Sequence, residues 1–213
     1  APQNLVDFPV PVADSAGIPE SVSGEVLIAP YNDIDYARGL LLEHGSQIAA
    51  IIVEPLQRII PPAPGFLEAL REESTKHGIV LIFDEVVTGF RVAYGGAQSL
   101  YGVTPDMCTL GKLIGGGLPL AAIAGRADIM SHFDKEKVTD DQFVMQIGTL
   151  SGNPLAAVAG LKTLEVLRRP GQYEKLQRTG EALIEGIRHR LEAAGHEVQI
   201  VGHPTLFDVV FTD

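Results

Sequence analysis

Two residues in this sequence carry charge at places where charge is costly. Asp84 falls at the end of the apolar run "IVLIFDE" (79–85), and Lys112 closes "DMCTLGK" (106–112). Burying a carboxylate is expensive unless it meets a cation or strong donors. If the two runs are neighbouring strands, both side chains converge on one sheet edge. Gly115, Gly116 and Gly117 strip side chains from the segment after Lys112. Gly89, Gly95 and Gly96 do the same after Asp84. Glycines in series cost backbone entropy, so they point to special torsions or to the close approach of a bulky ligand. A lysine amine near its usual pKa of about 10.4 is a poor nucleophile at neutral pH. Desolvation and a nearby cationic centre lower that value and favour Schiff-base chemistry. The plainer alternatives are a strand-end acid that reaches solvent or caps a turn, and a surface lysine.

Other chemistries fit less well. A phosphate loop needs Gly, four residues, then Gly-Lys-Ser/Thr. Here the glycines follow the lysine, and Leu113 stands where the hydroxyl belongs. The sequence has no GxGxxG and no Gly-x-Ser-x-Gly. The six histidines show no metal-ligand spacing and read as surface or cap residues. Cys108, inside an apolar run, reads as core rather than nucleophile. "GTLSGNP" (148–154) offers the Thr149 and Ser151 hydroxyls at a helix start, which is either an anion site or a plain N-cap.

The elements that would position these residues follow from periodicity. "GEVLIAPYND" predicts a short strand over 25–29, then a helix over 34–44 capped by Asp33. "QIAAIIVEP" (47–55) predicts a strand buried on both faces, ending at Glu54. Pro61, Pro62 and Pro64 stiffen the loop before an amphipathic helix over 65–78. Strands are expected at 79–85, 106–112 and 120–126, the first ending in Asp84 and Glu85. This alternation argues for an α/β domain with a mostly parallel sheet, whose ligands sit at the carboxyl ends of the strands. Glu54, Asp84, Glu85 and Lys112 all fall at such ends. A helix over 154–167, a longer one over 170–195 and two final strands suggest the start of a small α+β domain.

Composition narrows the field. Of the 213 residues, 46% are hydrophobic and 20% charged, as in a globular protein. The net charge of −11 and the absence of any Lys/Arg cluster argue against nucleic-acid binding. No apolar run approaches the length of a membrane span. A single cysteine allows no internal disulfide and suits a reducing compartment, so a cytoplasmic protein is expected. The chain starts without Met and stops on a strand, which suggests that both ends lie inside a longer protein.

"IFDEVVTGFRVAYGGAQSLYGVTPDMCTLGKLIGGGLP" (82–119) resembles the signature of class III aminotransferases. "APYND", "VEP", "PGFLEALRE", "GTLSGNP" and "LRRPGQYEKL" extend the likeness through nearly the whole chain, with glutamate-1-semialdehyde 2,1-aminomutase and its relatives the nearest branch. The resemblance implies a pyridoxal 5′-phosphate (PLP) enzyme of the aspartate-aminotransferase fold (fold type I). It places 1–153 in the large PLP-binding domain, 154–169 in a connecting helix and 170–213 at the start of the small domain. It implies that Lys112 forms the Schiff base and shuttles the proton. Asp84 would keep the pyridine nitrogen protonated, and Val86 would pack against the ring. Thr149 would bind the cofactor phosphate in the neighbouring subunit of a homodimer. Glu54, Glu85, Gly115, Gly116 and Gly117 would be supporting residues. The substrates would be a small amino compound and a keto-acid acceptor. The loop "LQRIIPPAPGF" is shorter than in the aminomutase, which leaves an ω-amine or β-amino-acid transaminase as the alternative. The family's phosphate loop and ring-stacking aromatic lie upstream of this chain, so the 213 residues alone are expected to be weakly active or a non-catalytic PLP-binding fragment.

Overall fold

The computed structural model describes residues 8–13 and 15–212. After a single helical turn, α1 (Glu20–Ser23), the chain enters α2 (Ile34–His44). Asp33 caps α2 as expected, accepting from Tyr36 N at 2.9 Å. Then come β1 (Ala50–Val53), α3 (Phe66–His77), β2 (Val80–Glu85), α4 (Gly96–Tyr101) and β3 (Met107–Leu110). Helix α3 starts and stops at Gly65 and Gly78, both left-handed at φ 83° and 68°. The chain continues through β4 (Ala122–Gly125), α5 (Ala127–Met130), α6 (Pro154–Leu167), α7 (Gln172–Ala193), β5 (Val198–His203) and β6 (Leu206–Phe211).

The main sheet has the order β1-β2-β3-β4. The first three strands are parallel and β4 is antiparallel to β3. Phe66, Leu67 and Leu70 of α3 and Ala37 of α2 pack with Leu81, Phe83 and Cys108 to form the core on one face of this sheet. Burial pushes the Cys108 thiol pKa up, consistent with a core residue.

The opposite face carries Ile52, Ile82, Asp84, Thr109 and Ile123, which the strand registers align. Ile52 is 64% exposed. The expectation that β1 is buried on both faces is therefore corrected: only its Ile51 and Val53 side meets the core. The expected strand over 25–29 is absent. A strand needs a partner about 4.8 Å away, and a cleft separates residues 24–31 from β1. Ile28 N donates instead to the Pro9 carbonyl.

Asp106, just before β3, stitches the layers. It accepts from Leu81 N and Arg71 through Oδ2, and from Arg126 through Oδ1. Helix α7 carries the antiparallel β5–β6 hairpin, where Gly180 lies against the Pro204 carbonyl with no room for a Cβ. Among the described residues no helix is long and apolar enough to cross a membrane.

Candidate active site

Asp84 and Thr109 face one another across the parallel β2–β3 pair. The half-buried Asp84 carboxylate uses one oxygen for the protein. Its Oδ1 accepts from Val86 N at 3.0 Å and from Thr109 Oγ1 at 3.0 Å. Its Oδ2 has no hydrogen-bond donor among the described residues. The side chain therefore does more than cap a turn: Oδ1 is held by two donors, while Oδ2 is left as an accessible acceptor.

Lys112 lies three residues beyond Thr109, at the same sheet edge. It is not the last residue of the strand, as expected, because β3 ends at Leu110. Gly111 is extended, and Lys112 opens a 3-10 turn, Lys112–Gly115, with the left-handed φ of 47°. A non-glycine residue there stores backbone strain, which persists only where the surroundings enforce it. The enforcing element is α6. Gly160 sits against the Ile114 carbonyl, and Gly116 sits against Thr163 and Ala159. The Lys112 side chain is exposed, with no ion pair or hydrogen bond among the described residues.

Two of the three glycines after Lys112, Gly115 and Gly116, thus have a packing explanation that the sequence did not reveal. A Cβ on Gly115 would press on Leu120 at 3.3 Å, and one on Gly116 would run into α6. Only at Gly117, with φ 94°, is the surrounding space open.

The two acids after Phe83 point to opposite faces, as strand alternation requires. Glu85 is fully buried on the core side. It accepts from Thr88 Oγ1, Ala97 N, Gln98 N and Gln98 Nε2, which ties β2 to the start of α4. Gly96 lies directly over it, at φ 68°. Val86 lies beside Gly111, where a Cβ would approach it to 3.3 Å.

Glu54 accepts from Arg58 N at 3.2 Å. It lines a cleft of about 850 Å3 together with Gln57, Asp84, the free edge of β1 and residues 24–31. Lys112, Val86 and Thr149 do not line that cleft. Thr149 is exposed in the turn before α6 and makes no side-chain hydrogen bond among the described residues. The α6 start itself has its donors engaged: Asn153 Oδ1 accepts from Leu155 N and Ala156 N, and Pro154 has no N–H. Of the two readings of "GTLSGNP", the plain cap describes the helix end, and an anion would have to use the preceding turn.

Two features escaped sequence reading. Thr109 is the partner of Asp84; its only signal was a hydroxyl residue inside an apolar strand. The loop after Glu85 is tied to the C-terminal elements. Tyr173 Oη donates to the Phe90 carbonyl at 2.7 Å, Arg168 Nε donates to Tyr94 Oη at 3.0 Å, and Thr205 Oγ1 donates to the Arg91 carbonyl at 3.3 Å.

Comparison with known proteins decides what this arrangement belongs to. The aminotransferase class-III family profile matches residues 17–210. The chain belongs to the class-III aminotransferases. It is similar to an omega-transaminase from Sphaerobacter thermophilus, at 39% identity and a TM-score of 0.87, over 95% of this chain and 46% of that one. A transaminase solved with PLP bound matches at 32% identity and a TM-score of 0.85, over 93% and 47%. A β-phenylalanine aminotransferase from Variovorax paradoxus matches at 36% identity and a TM-score of 0.75, over 88% and 43%. The chain spans less than half the length of each of these structures.

Membership makes this chain part of a fold type I architecture whose cofactor is PLP. The residues present fit that group. A protonated pyridine nitrogen is a donor, and Asp84 Oδ2 is an acceptor with no protein donor. An aldehyde needs an amine, and the Lys112 amine is unengaged at the same edge of the aminotransferase sheet.

Proposed function

We propose that the complete protein is a PLP-dependent transaminase that moves an amino group from an ω-amine or β-amino acid to a keto acid. The observation that carries this reading is the placing of Asp84 and Lys112 at the carboxyl ends of the adjacent parallel strands β2 and β3. The transaminases at 39% and 36% identity support the substrate class. When bound, PLP supplies an aldehyde that joins amines covalently and a ring that takes up the electron pair released at the substrate carbon.

The chain's own residues do the rest. Lys112 Nζ would hold the cofactor at rest and, once free, would move a proton at the substrate carbon. Asp84 Oδ2 would accept from the pyridine N–H and keep that nitrogen charged, and the resulting cation would offset the cost of a half-buried carboxylate. Val86 would pack on the ring. The Thr149 hydroxyl would donate to the phosphate of a partner subunit's cofactor. Glu54 and Glu85, with Gly115, Gly116 and Gly117, hold the frame around the site. Residues 1–153 form part of the large domain, 154–169 the connection and 170–213 the start of the small domain.

Exposed apolar residues support the homodimer of this reading. Leu155, Val158 and Leu161 stand exposed at one helical spacing along α6, and Ile147 and Leu150 are exposed in the turns before it. An apolar patch of this kind marks an interaction surface.

A second reading, glutamate-1-semialdehyde aminomutase, is supported by the likeness of residues 82–119 to that branch. The experiment is product analysis on the full-length protein. Conversion of glutamate-1-semialdehyde to 5-aminolevulinate without an acceptor favours the aminomutase. Transfer from a β-amino acid or ω-amine to pyruvate or 2-oxoglutarate favours the transaminase. A visible cofactor band that is unchanged in Lys112→Ala overturns both.

A further inference from the structure

We infer that Thr109 is a positioning residue for the cofactor ring: it locks the Asp84 carboxylate so that only Oδ2 can meet the pyridine nitrogen. The inference rests on the PLP reading above and adds a residue to it. A carboxylate oxygen has two lone-pair positions. Both positions on Asp84 Oδ1 are filled, by Val86 N and by Thr109 Oγ1, each at 3.0 Å. One donor is the backbone just past β2 and the other a side chain of β3, so together they fix the torsion of the carboxylate as well as its place. Val86 N alone, two residues along the same chain, leaves the group free to rotate about that contact.

Strand register makes the second donor dependable. Thr109 is directly opposite Asp84, on the same sheet face. Its neighbours Cys108 and Leu110 point to the core face and cannot replace it. The hydroxyl proton of Thr109 is committed to Asp84, and no other hydrogen bond involves that hydroxyl among the described residues. The side chains around it, Ile82 and Ile123, offer no polar partner, so the hydroxyl is directed to Asp84.

The test uses full-length protein reconstituted with PLP labelled with 15N in the ring. Thr109→Val removes the hydroxyl and keeps the shape; Thr109→Ser keeps the hydroxyl. The expected result is an about tenfold loss of cofactor affinity in the Val variant, the weight of one hydrogen bond to a charged group. Its ring 15N resonance moves toward the unprotonated position, and Ser restores both. Unfolding of the apo form is followed alongside, and Thr109→Ala replaces Val if Val does not fold. A variant that lowers apo stability but leaves the 15N resonance and affinity unmoved overturns the inference and reduces Thr109 to a packing residue. A wild type with no Lys112-dependent visible band overturns the PLP reading, and this inference with it. A normal wild-type band with an unmoved Val variant overturns this inference alone.

Discussion

Gly160 of α6 packs against the carbonyl oxygen of Ile114, two residues past Lys112; an added Cβ would come to 2.5 Å from that oxygen and 2.8 Å from Leu120 Cδ2. Helix propensity favours Ala over Gly by up to about 1 kcal/mol. A backbone carbonyl cannot swing aside, and overpacking costs about 1–3 kcal/mol. The collision wins, so Gly160→Ala is expected to destabilise by about 1–2 kcal/mol. Gly186 in α7 has nothing within 4 Å of its Cβ position, so Gly186→Ala should stabilise by up to about 1 kcal/mol. Urea unfolding of the two variants checks the pair, and equal signs would refute the packing argument.

The Tyr173 hydroxyl reaches from α7 to the Phe90 carbonyl at 2.7 Å. Phe90 holds a left-handed φ of 56°, a strained torsion in the loop that follows Asp84 and Glu85. Tyr173→Phe should cost about 1 kcal/mol of stability at neutral pH. Burial pushes the phenol pKa up to about 12, above the unfolded value of about 10. The stabilisation is therefore complete below about pH 10 and is lost as pH rises through the folded value. Denaturation of both proteins from pH 8 upward should show a constant difference that shrinks only in strong alkali.

The order of elements was legible in the sequence because apolar periodicity reports burial directly. Helices α2, α3 and α6 start within a residue of the expected positions 34, 65 and 154. The residues of the proposed site were legible only where charge sits at the end of an apolar strand, as at Asp84 and Lys112. Thr109 was not, because its importance depends on β2–β3 register, which no local pattern encodes. Gly115 and Gly116 point in sequence to special torsions or room for a ligand, and Gly116 does hold a left-handed φ of 59°. Glycine shows in a sequence only that a side chain is missing, not whether a ligand or the α6 backbone fills the space. The strand over 25–29 was a sound reading of composition, yet a strand exists only with a partner, and β1 lies across a cleft.

Asp106 has three donors and little exposure. Burial alone would raise its pKa, but Leu81 N, Arg126 and Arg71 together hold it below the ordinary carboxylate range. Asp106→Asn should cost about 2–3 kcal/mol at pH 7, less than a fully buried pair because Arg126 is largely exposed. The folded pKa lies below the unfolded value of about 3.9. The wild-type advantage is thus fully present above that value and disappears as pH falls through the folded one. Thermal unfolding of both proteins between neutral and acid pH measures the convergence; a gap that widened in acid would contradict the assignment.

Leu155, Val158 and Leu161 of α6 are 69%, 65% and 70% exposed. If this face pairs with a second copy, Val158→Asp in the full-length protein should shift sedimentation from dimer to monomer. Thr149 lies just before this helix, which is why the proposed dimer and the proposed phosphate contact stand together. A mixing experiment separates them. Lys112→Ala subunits lack the amine, and Thr149→Ala subunits lack the hydroxyl. In a mixed dimer with shared sites, one site takes Lys112 from the Thr149→Ala subunit and Thr149 from the Lys112→Ala subunit, and is whole. Mixing should then restore activity above that of either variant alone. If Thr149 serves its own subunit, every site in the mixture lacks one group and no activity returns. Restoration that disappears when Val158→Asp is added to both subunits would tie the shared site to the α6 face.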